Sequence, residues 1–151
     1  MERHGLVIVH TGDGKGKTTA ALGLALRAWG SGLHVLILQF IKGGQKYGEL
    51  AAVEALKGVR DTIEVRQCGL GFTRRDEARK AEHIAAAKDA VCAAEQEIVS
   101  GAWDLIILDE INYAEFIVSC PKCRRQFALI RHQSYPVIPL ELIPYIRFVT
   151  T

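Results

Sequence analysis

The residues best suited to chemistry lie in Thr11-Gly-Asp-Gly-Lys-Gly-Lys-Thr-Thr19. Gly12, Gly14 and Gly16 allow a tight bend that turns successive backbone N–H groups inward, a nest of donors suited to phosphate oxygens. A helix starting at Lys17-Thr18 would add its own N-terminal donors. Lys17 brings a mobile positive charge, and the Thr18 hydroxyl follows at the position that ligates magnesium in a bound nucleoside triphosphate. The common form of this loop has four residues between its first two glycines. Here only Asp13, Gly14 and Lys15 separate Gly12 from Gly16, so Thr11 takes the place of the first glycine.

A second constellation supports the first. Leu105-Ile-Ile-Leu-Asp-Glu110 is an apolar strand that delivers two carboxylates at its C-terminal end, the edge at which parallel sheets bind ligands. Asp109 is placed to hold magnesium, directly or through water. Two readings stand for Glu110: a magnesium or substrate role, or a charged residue that begins a loop. Lys42 and Lys46, after the second strand, either reach phosphate or a carboxylated substrate or are solvated loop lysines. Phe72, in Gly69-Leu-Gly-Phe-Thr73, either packs on a planar ligand or plugs the core. Cys120 and Cys123 have metal-ligand spacing, but they have no second such pair and only His132 nearby, which argues against zinc.

The elements that must position these groups follow from apolar patterning. Gly5 to His10 reads as a central parallel strand covered on both faces. Lys17 to about Trp29 is a helix with Ala21, Leu22, Ala25 and Leu26 on its apolar side, stopped by Gly30-Ser31-Gly32. Leu33 to Gln39 is a strand, Glu49 to Lys57 a short helix ended by Gly58, and Thr62 to Gln67 a strand. A long helix from about Asp76 to Val99 presents Ala81, Ile84, Val91, Cys92 and Ile98, and Trp103 to Leu108 is the fourth strand. This alternation specifies a three-layer α/β/α sandwich with a mainly parallel sheet, of the P-loop NTPase type.

Composition fits that architecture. The chain has 151 residues, 49% of them hydrophobic, and 14 glycines, enough for one core without disulfides or a structural metal. A net charge of +2, from 19 basic and 17 acidic residues, does not favour nucleic-acid binding. Basic clusters at Arg74, Arg75, Arg79 and Lys80 and at Lys122, Arg124 and Arg125 read as solvated surface. Apolar runs are strand-sized, so no membrane span is expected, and with no secretory segment evident the expected compartment is the cytoplasm.

Taken together, the segments Thr11 to Ala21, Gln39 to Gly43 with Gly48-Glu49, Gly71-Phe72-Thr73 and Ile107 to Ala114 resemble the ATP:corrinoid adenosyltransferases related to the bacterial cobalamin-pathway enzyme. That family commonly shows the same three-residue gap in its phosphate loop. The resemblance implies transfer of the 5′-deoxyadenosyl group of ATP to the reduced cobalt of a corrinoid, with triphosphate as leaving group. Carried over by position, Gly12 to Thr19, with Thr11, would bind the triphosphate, in a reversed sense compared with ordinary ATPases. Lys42 and Glu49 would shape the nucleotide and corrinoid surfaces, Phe72 would face the corrinoid, and Asp109 and Glu110 would act at the metal. Lys17 and Glu110 are the catalytic candidates, Thr18 and Asp109 the metal ligands, and ATP, Mg2+ and a corrinoid the small molecules. A homodimer and a corrinoid-delivering reductase are the implied partners. A P-loop ATPase or nucleotide-binding regulatory module is the alternative.

Beyond Ala114 the resemblance stops. Family members continue with a Thr-Gly-Arg segment after a late strand and a Val-Lys-His segment near their end, and Glu115 to Thr151 has neither. The expected organisation is therefore a nucleotide-binding core over 1–119 and a divergent tail over 120–151 packed on it, with a sheet apparently truncated on its C-terminal side. All four prolines, Pro121, Pro136, Pro139 and Pro144, fall in the tail. They leave room at most for an antiparallel strand near Tyr145 to Val149. This tail is expected to supply no indispensable catalytic group, to be less firmly ordered than Gly5 to Leu108, and to lie across the sheet edge or against a partner.

Overall fold

The computed structural model describes residues 6–71, 77–112 and, as backbone, 146–150. Element order is β1 (Val7–His10), α1 (Lys17–Gly30), β2 (Val35–Gln39), α2 (Gly48–Val59), β3 (Ile63–Gln67), a 3-10 turn (Glu77–Arg79), α3 (Lys80–Ser100), β4 (Leu105–Asp109) and β5 (Ile146–Thr150). The strands form one sheet in the order β1-β5-β4-β2-β3. All the pairings described are parallel. Helices cover both faces, giving the expected α/β/α arrangement.

Alternation along the central strands explains why they are apolar throughout. Val35 and Ile37 of β2, with Leu105 and Ile107 of β4, pack under α1 and α2 against Ala21, Ala25 and Val53. Leu36 and Leu38, with Ile106 and Leu108, face the other way onto Ala87, Ala90, Val91 and Ala94 of α3. Successive side chains point to opposite faces, so a strand covered on both sides needs apolar residues at every position. Full burial of each such Ile or Leu contributes about 1.5–3 kcal/mol.

Several expectations are corrected. β1 is not a doubly covered central strand: among the described residues it lies at the sheet edge, and Val7 and Val9 are 37% and 44% exposed. An apolar run reports what a strand tolerates, whereas burial depends on neighbours the run does not encode. The strand near the C-terminus is parallel rather than antiparallel, and it lies between β1 and β4 instead of across an edge. The prolines that argued against a buried strand all precede Ile146, so they interrupt the connection and leave the strand intact.

Helix details shift too. Gly58 lies within α2, and Arg60, in an extended conformation, is the residue that caps it. The buried stripe of α3 is His83, Ala87, Ala90, Val91 and Ala94, while Ala81 and Cys92 are exposed. Small residues let that helix lie close to the sheet, which moves larger side chains to the flanks. On α1 the contact is made by Ala21, Ala25 and Ala28, and Leu26 is half exposed beside an apolar groove between α1 and α2.

The loops after β2 and β3 are zipped together beyond the strands. Gly69 N–H donates to the Lys42 carbonyl at 3.1 Å and Gly71 N–H to the Ile41 carbonyl at 2.9 Å. The approach requires glycine on both sides: a Cβ on Gly43 would fall 1.7 Å from the Gly69 carbonyl oxygen, and one on Gly69 would fall 2.2 Å from that of Ile41. Lys42 is thereby carried to the carboxyl edge of the sheet on a constrained backbone.

Candidate functional site

The glycine-rich loop runs from β1 into α1. Gly12 and Gly16 adopt φ of 138° and 99°, conformations that side chains disfavour, while Gly14 does not. Gly16 occupies the N-cap of α1 without a side-chain cap, and the first turn carries no acidic residue. The helix therefore leaves its N-terminal donors and positive dipole end unsatisfied by side-chain capping, an arrangement suited to an anion. Lys17 Nζ donates to the carbonyls of Gly12 at 2.6 Å and Gly14 at 2.8 Å, which folds the ammonium over the loop. Thr11, Asp13, Lys15 and Thr19 are exposed around it.

Asp109 meets this loop from β4. The Thr18 hydroxyl donates to Asp109 Oδ1 at 3.0 Å, although 91 residues separate them in the chain. Lys42 Nζ donates to the other carboxylate oxygen, Oδ2, at 3.3 Å and to Glu49 Oε1 at 3.1 Å. Asp109 is 1% exposed. A carboxylate so deeply buried needs compensating donors, and the hydroxyl and the ammonium supply them. Thr18, Asp109, Lys42 and Glu49 thus form one connected cluster. Lys46 is exposed and makes none of these contacts. Phe72, Cys120, Cys123, His132 and the basic groups at Arg74, Arg75, Lys122, Arg124 and Arg125 lie outside the described residues.

Electrostatics follow from the geometry. Burial opposes the Lys42 ammonium, but the hydrogen bond it donates to Glu49 and the charge of Asp109 outweigh that and hold its pKa above the ordinary lysine value. Burial likewise opposes ionised Glu49. Its own backbone N–H and the hydrogen bonds from Lys42 and Gln39 prevail and hold it below the usual carboxylate range. Glu110 behaves oppositely. Desolvation, then the charge of Asp109, pushes its pKa up against the pull of Lys42 and Lys17. It also has a φ of 62°, an uncommon conformation for a non-glycine residue and one frequently found at functional sites.

Sequence reasoning missed the glutamines. Gln39, Gln67 and Asp109 end three neighbouring strands in register, Gln39 opposite both others. Gln39 is fully buried, and its Nε2 donates to Glu49 Oε1 at 3.3 Å. Gln67 Nε2 stands 3.5 Å from Gln39 Oε1 and donates to the Gln45 carbonyl at 3.3 Å. Tyr47 was also missed: its ring centroid lies 5.1 Å from Lys42 Nζ. The available signal was that each apolar strand of the central sheet ends in an amide or a carboxylate.

A magnesium ion fits these donors. Thr18 Oγ1 and Asp109 Oδ1 are hard oxygen atoms side by side that could ligate it, and magnesium commonly takes one or two protein oxygens, filling its shell with phosphate and water. Among the described residues no group of three or more His, Cys, Asp or Glu could hold a metal by itself.

The family model for ATP:corrinoid adenosyltransferase BtuR/CobO/CobP matches residues 3–119. Corrinoid adenosyltransferase of Escherichia coli strain K12 is 37% identical over 113 residues, which cover 75% of this chain and 55% of that protein. Corrinoid adenosyltransferase CobA of Salmonella typhimurium strain LT2 is 38% identical over 118 residues, again 75% of this chain and 55% of the relative. The Pseudomonas aeruginosa PAO1 relative is 35% identical over 113 residues, 75% of this chain and 54% of its own length. The chain thus spans about half the length of the curated relatives it matches. With the phosphate loop, its acidic partner and the match over 3–119 in agreement, the chain belongs to the ATP:corrinoid adenosyltransferase family.

Proposed function

We propose that the protein transfers the 5′-deoxyadenosyl group of ATP to the cobalt(I) of a corrinoid, on a P-loop NTPase-type core over 1–119, with the 120–151 segment packed on the same domain. The observation that carries this reading is the Thr18–Asp109 contact, which joins the phosphate loop to the acidic strand end within a chain of this family. In the reaction the cobalt(I) electron pair attacks C5′, a cobalt–carbon bond forms as the C5′–O5′ bond breaks, and triphosphate leaves with the bonding electrons. The nucleophile needs no side-chain base. What remains for the protein is alignment and stabilisation of charge on the leaving group.

The residues divide that work. Thr11 to Thr19 bind the triphosphate through backbone donors, and Lys17 turns from the loop carbonyls to the phosphate oxygens. Thr18 and Asp109 would hold magnesium, which when bound would offset charge on the triphosphate. Lys42 and Glu49 shape the wall beside the nucleotide, Glu110 acts next to the metal, and Phe72 faces the corrinoid. We place the protein in the cytoplasm, as a homodimer supplied with corrinoid by a reductase. No helix among the described residues is long and apolar enough to cross a membrane.

Product analysis tests the reading. Triphosphate and an adenosylated corrinoid are expected from ATP only when reduced corrinoid is supplied; orthophosphate released without corrinoid would instead favour an ATPase. In parallel, Lys17→Ala should weaken ATP binding by roughly a hundredfold in titration calorimetry, the scale of about two charge-assisted hydrogen bonds. Equal affinity for both proteins would remove Lys17 from the site.

A further inference from the structure

We propose that Lys42, braced by Glu49, is the resident counter-ion of the metal-binding carboxylate: it holds Asp109 in the metal-free protein and yields that carboxylate when magnesium binds. The inference rests on the reading of Thr18 and Asp109 as magnesium ligands.

Geometry supports it in three ways. First, the two oxygens of Asp109 are divided: Oδ1 accepts from the Thr18 hydroxyl at 3.0 Å, and Oδ2 accepts from Lys42 at 3.3 Å. A divalent ion taken up between Thr18 and Oδ1 would share one carboxylate with an ammonium. Two positive charges at that separation, with Asp109 1% and Lys42 14% exposed, repel strongly because little water screens them. Second, Lys42 has somewhere to remain. Glu49 Oε1 lies 3.1 Å away and the Tyr47 ring centroid 5.1 Å away, so releasing Asp109 does not strand a buried cation. Third, Glu49 is itself fixed, because Gln39 Nε2 donates to the same Oε1 and the residue lies in the first turn of α2, where a negative charge is favoured.

On this account Lys42 is a positioning residue whose ammonium competes with magnesium for Asp109, and Glu49 sets the strength of that competition by drawing the ammonium away. Removing Lys42 should therefore favour the metal, whereas removing the Glu49 charge should leave Lys42 bound more closely to Asp109 and disfavour it. A purely structural role would shift metal binding in the same direction for both variants.

The test is magnesium binding by the full chain without nucleotide, followed by calorimetry and by thermal unfolding with and without Mg2+. Lys42→Met is expected to bind Mg2+ at least about tenfold more tightly than wild type, as removal of a neighbouring unit charge implies. It should unfold at lower temperature in chelator and recover when Mg2+ is added. Glu49→Gln is expected to bind Mg2+ several-fold more weakly. A folded Lys42→Met with unchanged magnesium affinity would overturn the proposal. Should Lys42→Met fail to fold with or without Mg2+, Glu49→Gln decides, and wild-type or tighter magnesium binding by that variant overturns it. Asp109→Asn separates the two readings: undiminished magnesium binding there removes the metal site itself, whatever Lys42 does.

Discussion

β4 and β1 each deliver half of the candidate site, yet the protein treats them differently. β4 carries Asp109, has a strand on either side and helices over both faces, and all five of its residues are buried. β1 leads into the glycine-rich loop, pairs only with β5 among the described residues, and exposes Val7 and Val9. The carboxylate is therefore set by dense packing, whereas the loop depends on devices of its own. These are Gly12 and Gly16 in left-handed conformations, the Lys17 bonds to loop carbonyls, and α1, which buries its alanines against β2 and β4. The loop is held by the helix it opens more than by the strand it leaves.

Paired truncations measure that contrast most directly. Ile107→Ala, in the fully buried middle of β4, should cost about 2–5 kcal/mol of stability, because it removes a large apolar group and leaves a cavity. Val9→Ala on β1 should cost under about 1 kcal/mol, since its side chain already keeps much of its exposure to water. Denaturant titrations of both variants give the comparison, and equal losses would show that β1 is covered more fully than the described residues indicate.

A smaller effect sharpens the β4 side. The folded-state pKa of Glu110 is raised, so its contribution is favourable below the ordinary carboxylate pKa and is lost as pH rises through the raised value. Glu110→Gln should therefore be more stable than wild type near about pH 8, by at most about 1 kcal/mol, and the difference should vanish toward about pH 4. Thermal unfolding across that range would show it. A gain that persists undiminished at low pH would assign the effect to packing rather than to charge.

Legibility in the sequence tracked how local each determinant is. Lys17, Thr18 and Asp109 were readable because the loop's glycines and the strand's apolar run fix where those side chains must emerge. The α/β/α arrangement was readable from alternating periodicities. Gln39 was not, because a glutamine ending a strand looks the same whether it enters solvent or, as here, lies buried beside Glu49. The stripe of α3 was read in part: Val91 and Ile98 do meet the core, but Ala81 and Cys92 are exposed, and His83, Ala87, Ala90 and Ala94 complete the buried face. The edge position of β1 and the parallel insertion of β5 depend on pairings between residues far apart in sequence, and no local pattern reports those.

The place of β5 also dictates when the described sheet can close. Strand β2 pairs directly with both β3 and β4, so that part of the sheet can condense as soon as β4 has been synthesised. β1, made first, has no described pairing until β5 joins it to β4. Residues 7–10 must therefore wait for residues 146–150, a loop closure spanning nearly the whole chain and a slow kind of event for a parallel sheet. During synthesis the opening strand is an unpaired apolar edge for longer than any other in the sheet, and that interval is when the nascent protein is most exposed to aggregation.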